Sequence, residues 1–186
     1  PSRGVARTVQ IEALFGGNAA RERGRLVHAW FERIEWLEDF AADDEALLAD
    51  GRRLAPAMDE AVLRDRLASF RAWTGVPETA SALRRPPLAP GETLERPWRE
   101  REFTALVGGE LIEGRFDRVT VVRRDGRPVR AILVDFKAGR AAAEAVAMDV
   151  AQVRDYRRAL AGMLGLGESA IEGRLLFEQG GLVGVE

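Results

Sequence analysis

The chain has no cysteine among its 186 residues. That excludes disulfides, thiolate-bound metal and iron–sulfur clusters, and it fits a cytoplasmic setting. No apolar run approaches the roughly 18 residues of a membrane span, so no membrane partner is expected. No signal peptide is read at the start. A first residue that is Pro1 rather than Met fits a piece cut from a longer protein. Three more residue types are almost missing: there is one Lys (Lys137), one His (His28) and one Tyr (Tyr156). Against that Lys stand 27 Arg, out of 28 basic residues. A chain that uses Arg nearly everywhere, yet keeps Lys beside an Asp, points to a place where a guanidinium will not serve. A large charge of one sign is also lacking. A net charge of −2 argues against a free-standing, tight nucleic-acid binder. The charge is unevenly placed, with 13 basic and 10 acidic residues over 99–159, net +3, leaving the remainder at −5.

What is present suffices for a core. At 46% hydrophobic, the 186 residues read as a single domain. Its first part, 1–90, is mainly helical, and its second, 91–186, is sheet and helix. Residues 1–16 read as a docking arm or short helix, broken by Gly16-Gly17, with Asn18 as an N-cap. Helical periodicity follows over 19–40, with Val27, Phe31, Ile34 and Glu38 on one line. His28 sits at the edge of this stripe, one turn after Gly24. A glycine inside a helix costs about 1 kcal/mol relative to Ala, which suggests close approach by a backbone or a ligand. Further helices are expected over 43–50, 56–73 (Met58, Val62, Leu63, Leu67, Phe70 and Trp73 inward) and 79–83. A proline-rich loop spans 84–91.

The period then changes. Strands are expected over 93–107 and 110–122, joined at Gly108-Gly109, with Phe116, Arg118 and Thr120 on one face and Asp117, Val119 and Val121 on the other. A hairpin at Arg124-Asp125-Gly126-Arg127 leads to a strand over 129–137. A helix over 142–164 and strands over 171–177 and 182–185 complete the chain.

Register arithmetic supplies the chemistry. Opposed residues of an antiparallel pair have a constant sum of residue numbers. Asp117 and Asp135 total 252, which centres the turn on Gly126. An odd or bulged loop there sets the two aspartates face to face, with Cβ atoms about 5 Å apart. Lys137 lies two residues past Asp135 and shares its face. Two carboxylates on one face call for a hard cation, Mg²⁺ or Mn²⁺, and an imidazole favours Mn²⁺ somewhat. Such a metal polarises a phosphoryl oxygen and lowers the pKa of a bound water. The plainer alternative is a surface ion pair of Asp135 with Lys137 or Arg118. Gln152 and Tyr156 form an i, i+4 pair on the following helix. Together with Arg118, Arg157 and Arg158, they are candidates to position a phosphodiester backbone.

These residues resemble the RecB-like branch of the PD-(D/E)XK nuclease superfamily, in particular the C-terminal nuclease domain of AddA/RecB-type helicase–nucleases. Gly114-Arg-Phe-Asp117-Arg-Val is similar to G-x-I-D-R-V, and Val134-Asp135-Phe-Lys137 to V-D-Y-K. Gln152-Val-Arg-Asp-Tyr156 is similar to Q-L-x-x-Y, and Gly24-Arg-Leu-Val-His28 to G-T-x-V-H. Four motifs in order span 24–160. The resemblance implies an α/β fold with a restriction-endonuclease-like mixed sheet flanked by helices. It implies that His28, Asp117 and Asp135 bind metal, that Lys137 is the catalytic lysine, and that Gln152 and Tyr156 belong to the downstream motif. Glu102 stands where some relatives carry a carboxylate on the preceding strand and is a second-rank candidate. The expected activity is Mg²⁺- or Mn²⁺-dependent DNA hydrolysis, exonucleolytic, in double-strand-break repair and recombination. No phosphate-binding G-x-x-x-x-G-K-[ST] occurs, so unwinding would fall to a helicase domain or partner. A catalytically inactive DNA-guiding module is the alternative.

Overall fold

The computed structural model describes residues 7–8, 18–138, 143–178 and 181–185. The expected arm over 1–16 therefore lies outside the described residues, apart from a two-residue strand, β1 (Arg7–Thr8). Four helices follow: α1 (Asn18–Glu32), α2 (Asp44–Leu54), α3 (Glu60–Gly75) and α4 (Pro77–Leu83). Then come β2 (Glu92–Leu94), β3 (Trp98–Val107), β4 (Glu110–Arg124), β5 (Arg127–Lys137), α5 (Ala143–Leu164), β6 (Ile171–Phe177) and β7 (Leu182–Val185). Asp43 caps α2 by accepting from Ala46 N–H, and Asp59 caps α3 by accepting from Ala61 N–H.

The sheet is mixed and runs β1-β4-β5-β6-β7, with β2 and β3 also on β4. The β5–β6 pair is parallel, joined through α5, and the β4–β5 pair is antiparallel. One face of the sheet carries the helical layer α1–α4. There Phe31 stacks on Phe136 at 3.9 Å between ring centroids, with Trp73 edge-on to both. The other face carries α5, which packs Val153, Tyr156, Ala159 and Leu160 against Phe116, Leu133 and Leu175. This is the expected restriction-endonuclease-like arrangement: a curled mixed sheet flanked by helices, with a helical N-terminal half.

Local departures from expectation have tertiary causes. α1 stops at Glu32 instead of running to residue 40, leaving only a 3-10 turn at Leu37–Asp39. The carbonyls of Ile34 and Glu35, just past its end, are taken by the guanidinium of Arg118. The stretch expected as one strand over 93–107 is two, β2 and β3. Pro97, with no N–H to give, lies in the break. Val62 on α3 faces solvent rather than the core. Among the described residues Gly24 meets nothing within 4 Å of a Cβ built on it, so no close approach there explains it.

The hairpin carrying the two aspartates is the most informative departure. Its loop is not odd: Asp125 (φ 50°) and Gly126 (φ 76°) form a two-residue turn of left-handed residues. Arg124 opposes Arg127, and Arg123 opposes Pro128. A bulge then leaves Val129 unpaired, and Val122 opposes Arg130. From there the pairs total 252, down to Arg118 opposite Val134. The register needed to bring Asp117 toward Asp135 is thus produced by a bulge inside β5.

Candidate metal and catalytic site

β4 and β5 stop pairing one step before Asp117 and Asp135. Asp117 Oδ2 accepts the Phe136 N–H at 2.8 Å, so a side chain replaces the backbone of the ladder. The alternation of β4 breaks here too. Ile112 and Phe116 belong to the same core cluster as Val119 and Val121, although their parity differs. The expected split of Phe116 from Val119 is therefore wrong, since the strand switches face at Asp117. On β3, Arg99 opposes Arg118 and Arg101 opposes Phe116, and Glu100 between them has φ 47°. A left-handed glutamate is uncommon and marks a pinch in the strand. Opposed irregularities at Glu100 and Asp117 turn both carboxylates toward His28 on α1. His28 Nδ1 is 3.1 Å from Glu100 Oε1 and 3.4 Å from Asp117 Oδ1.

His28, Glu100 and Asp117 offer ligand atoms that all lie within 4.8 Å of one another. Asp135 is not in this set; its Oδ2 lies 2.9 Å from Lys137 Nζ. Lys137 Nζ also lies 3.4 Å from Asp149 Oδ1 and donates to Gln152 Oε1 at 3.1 Å. Gln152 Nε2 donates to the Tyr156 hydroxyl at 3.2 Å. The two motifs on β5 and α5 thus form one line from Asp135 to Tyr156, an ion pair followed by two hydrogen bonds. Gly114 seats the end of that line, since a Cβ there would fall 2.4 Å from the Tyr156 hydroxyl oxygen.

The electrostatics follow from burial and crowding. Burial alone would push His28 down, but Asp117 and Glu100 outweigh it and hold the imidazole well above its ordinary value. Burial would raise Asp117, yet His28 and then Lys137 bring it below the usual carboxylate range. Burial dominates at Asp135; Lys137 opposes it and Asp117 adds to it, and the carboxyl is pushed up to about 7. Lys137 is raised despite burial, because Asp135, Asp149 and Asp117 surround its ammonium. Burial is thus the main cause of the rise at Asp135, with Asp117 adding to it. The imidazole and oxygen donors facing one another fit a divalent cation of the Mg²⁺ or Mn²⁺ kind.

Of the remaining sequence candidates, four stand elsewhere. Glu102 is exposed and opposes Arg115, and Glu100 takes the place expected of it. Arg118 is 1% exposed and donates to the carbonyls of Ile34, Glu35 and Leu83. Arg157 is buried and donates to the carbonyls of Ile171 and Glu168. Neither can reach a substrate. Arg158 is exposed and paired with Asp155. Glu100 was legible by the same arithmetic used for Asp135. Residue numbers across the Gly108-Gly109 turn total 217, as in Trp98 with Val119 and Val107 with Glu110, which sets residue 100 against Asp117.

The fold and this cluster define a nuclease of the restriction-endonuclease-like class. Residues 6–180 match the PD-(D/E)XK nuclease superfamily, and the chain belongs to it. Membership implies hydrolysis of DNA phosphodiesters with divalent metal. A solved structure titled "Crystal structure of SSO0001" is similar at 10% identity and a TM-score of 0.35, covering 92% of this chain and 78% of that one. A search of curated proteins gives no match. Among the described residues, no helix is long and apolar enough to cross a membrane.

Proposed function

We propose that this chain is a single-domain, RecB-like exonuclease module of an AddA/RecB-type helicase–nuclease, acting in the cytoplasm on DNA strands during double-strand-break repair and recombination. The observation that carries the reading is the continuous cluster from His28 through Asp117, Asp135 and Lys137 to Gln152 and Tyr156. His28, Glu100 and Asp117 would hold a Mg²⁺ or Mn²⁺ ion, with Asp135 turning from Lys137 to join them. That ion supplies Lewis acidity to a phosphoryl oxygen and to the attacking water. Without the ion, Asp135, Asp149 and Asp117 hold Lys137 protonated, and Asp149 stays beside it when the other two turn to the ion. The ammonium is then a donor to charge developing on the phosphate. Gln152 and Tyr156 hold the ammonium in place. A net charge of −2 suits a domain fed by a motor, which need not bind DNA tightly on its own.

The test is cleavage of single-stranded DNA, with Mn²⁺ or Mg²⁺, by the chain and by Lys137→Ala. The expected result is metal-dependent shortening of end-labelled strands by the chain and a loss of at least 100-fold in the variant. Absence of cleavage in both, across metals and with a helicase motor supplied, would sink the enzyme reading in favour of a DNA-guiding module.

A further inference from the structure

We propose that Arg115 grips a phosphate of the substrate strand at the rim of the metal site. This rests on the nuclease reading. Arg115 lies between Gly114, which seats Tyr156, and Asp117. Its side chain is 52% exposed. The guanidinium makes one ion pair among the described residues, Nε to Glu100 Oε2 at 2.8 Å. The other oxygen of Glu100 faces His28. With Nε so engaged, the two terminal nitrogens have no partner among the described residues and remain a planar pair of donors for two phosphate oxygens.

The site needs such a group. Glu100, Asp117, Asp135 and Asp149 gather around His28 and Lys137, and a phosphodiester approaching them meets repulsion that one divalent ion only partly relieves. Arg118 and Arg157 cannot help, since both are sealed, and Arg158 is paired with Asp155. Arg115 is anchored to a carboxylate of the metal set, so a phosphate in its fork sits beside the cation.

The experiment measures single-stranded oligonucleotide binding by fluorescence anisotropy in Mn²⁺ over a series of KCl concentrations. It uses Lys137→Ala chain with and without Arg115→Ala or Arg115→Lys. Mn²⁺ affinity is measured separately by calorimetry, and KM and kcat on the otherwise unaltered chain. Arg115→Ala should weaken DNA binding about tenfold, as for a lost hydrogen bond to a charged group. The slope of log affinity against log salt should fall by about 0.7, the share of one phosphate on a single strand. KM should rise with kcat little changed, and Mn²⁺ affinity should stay within about twofold, a limit well inside the 5–150-fold range typical of coupled sites. Arg115→Lys should keep the salt slope and lose affinity. An unchanged slope with weakened Mn²⁺ binding would show that Arg115 merely holds Glu100, and the proposal fails. Equal KM in a chain that cleaves also overturns it and leaves the nuclease reading intact. A chain that cleaves nothing sinks that reading, while the salt slope still decides the phosphate contact.

Discussion

Gly114 and Gly24 occupy corresponding places, each upstream of a metal-set residue, and the structure separates them. A Cβ on Gly114 would fall 2.4 to 2.8 Å from three atoms of the Tyr156 ring and hydroxyl. That ring is fixed edge-on by Phe103 and Phe116 and cannot yield. Gly114→Ala should therefore cost about 1–3 kcal/mol in urea unfolding, the usual range for overpacking. It should also lower cleavage by shifting the hydroxyl that Gln152 leans on. Gly24 meets nothing among the described residues, so Gly24→Ala should stabilise α1 by about 1 kcal/mol, checked by the same denaturation. Legibility divides the same way at this scale. Register arithmetic brings Asp117, Asp135 and Lys137 together and helical spacing pairs Gln152 with Tyr156, while the family resemblance joins the two groups. Glu100 is reached only by extending the register arithmetic across the Gly108-Gly109 turn, where totals of 217 set it against Asp117; its left-handed φ is not legible in the sequence. Arg118 escapes period-based reading: a strand arginine beside an aspartate looks like a surface group, and only the tertiary fold shows three carbonyls waiting for it.

At the scale of elements, the bulge at Val129 does what an odd loop was expected to do. The sequence pattern requires residue totals of 252 to point Leu133 and Ala131 at α5 and Val134 and Phe136 at the helical layer. An Asp-Gly turn by itself enforces 251, and one unpaired residue resolves the conflict. Deleting Val129 should leave a plain two-residue hairpin with every other partner kept, Val122 still opposite Arg130 and Arg118 still opposite Val134. Cooperative unfolding and Mn²⁺ binding should therefore survive, read by circular dichroism and calorimetry, and loss of both would show that the bulge itself shapes the site. Arg118 joins elements in a different way, tying the chain just after α1 and the end of α4 to β4. Burial depresses its guanidinium to about 10, so the charge is retained at neutral pH only at some cost. Arg118→Met leaves the three carbonyls buried without a donor and should destabilise by about 3 kcal/mol or more. Since α1 carries His28, Mn²⁺ affinity should fall with it. A variant that loses stability while binding Mn²⁺ normally would show that the tie does not position the ligand.

For the molecule as a whole, the site works against the fold until a cation arrives, and pH reports this. His28 and Asp135 both have raised values in the folded chain. A raised group contributes stability that is fully present below its unfolded value and is lost as pH rises through its folded value. Asp117 is lowered, so its contribution is present above the ordinary aspartate range and is lost only in acid. Between about pH 6 and 8.5 only the first two titrate, and the metal-free chain should lose stability as pH rises. A divalent ion replaces the proton on His28 and the one on Asp135, so its binding releases protons and strengthens with pH. At 100 times its dissociation constant it adds about 2.7 kcal/mol, roughly 5–10 °C in Tm for a chain of this size. The expected outcome is a Tm that falls with pH without metal, and a Mn²⁺-induced rise that is larger at pH 8.5 than at pH 6. Glu100→Gln should reduce that rise and its pH dependence, because one of the carboxylates that holds the proton on His28 also binds the ion. Scanning calorimetry with and without Mn²⁺ at the two pH values decides it. An equal rise at both would mean that the ion sits away from His28 and Asp135, and the metal set would have to be sought elsewhere in the cleft between β4 and β5.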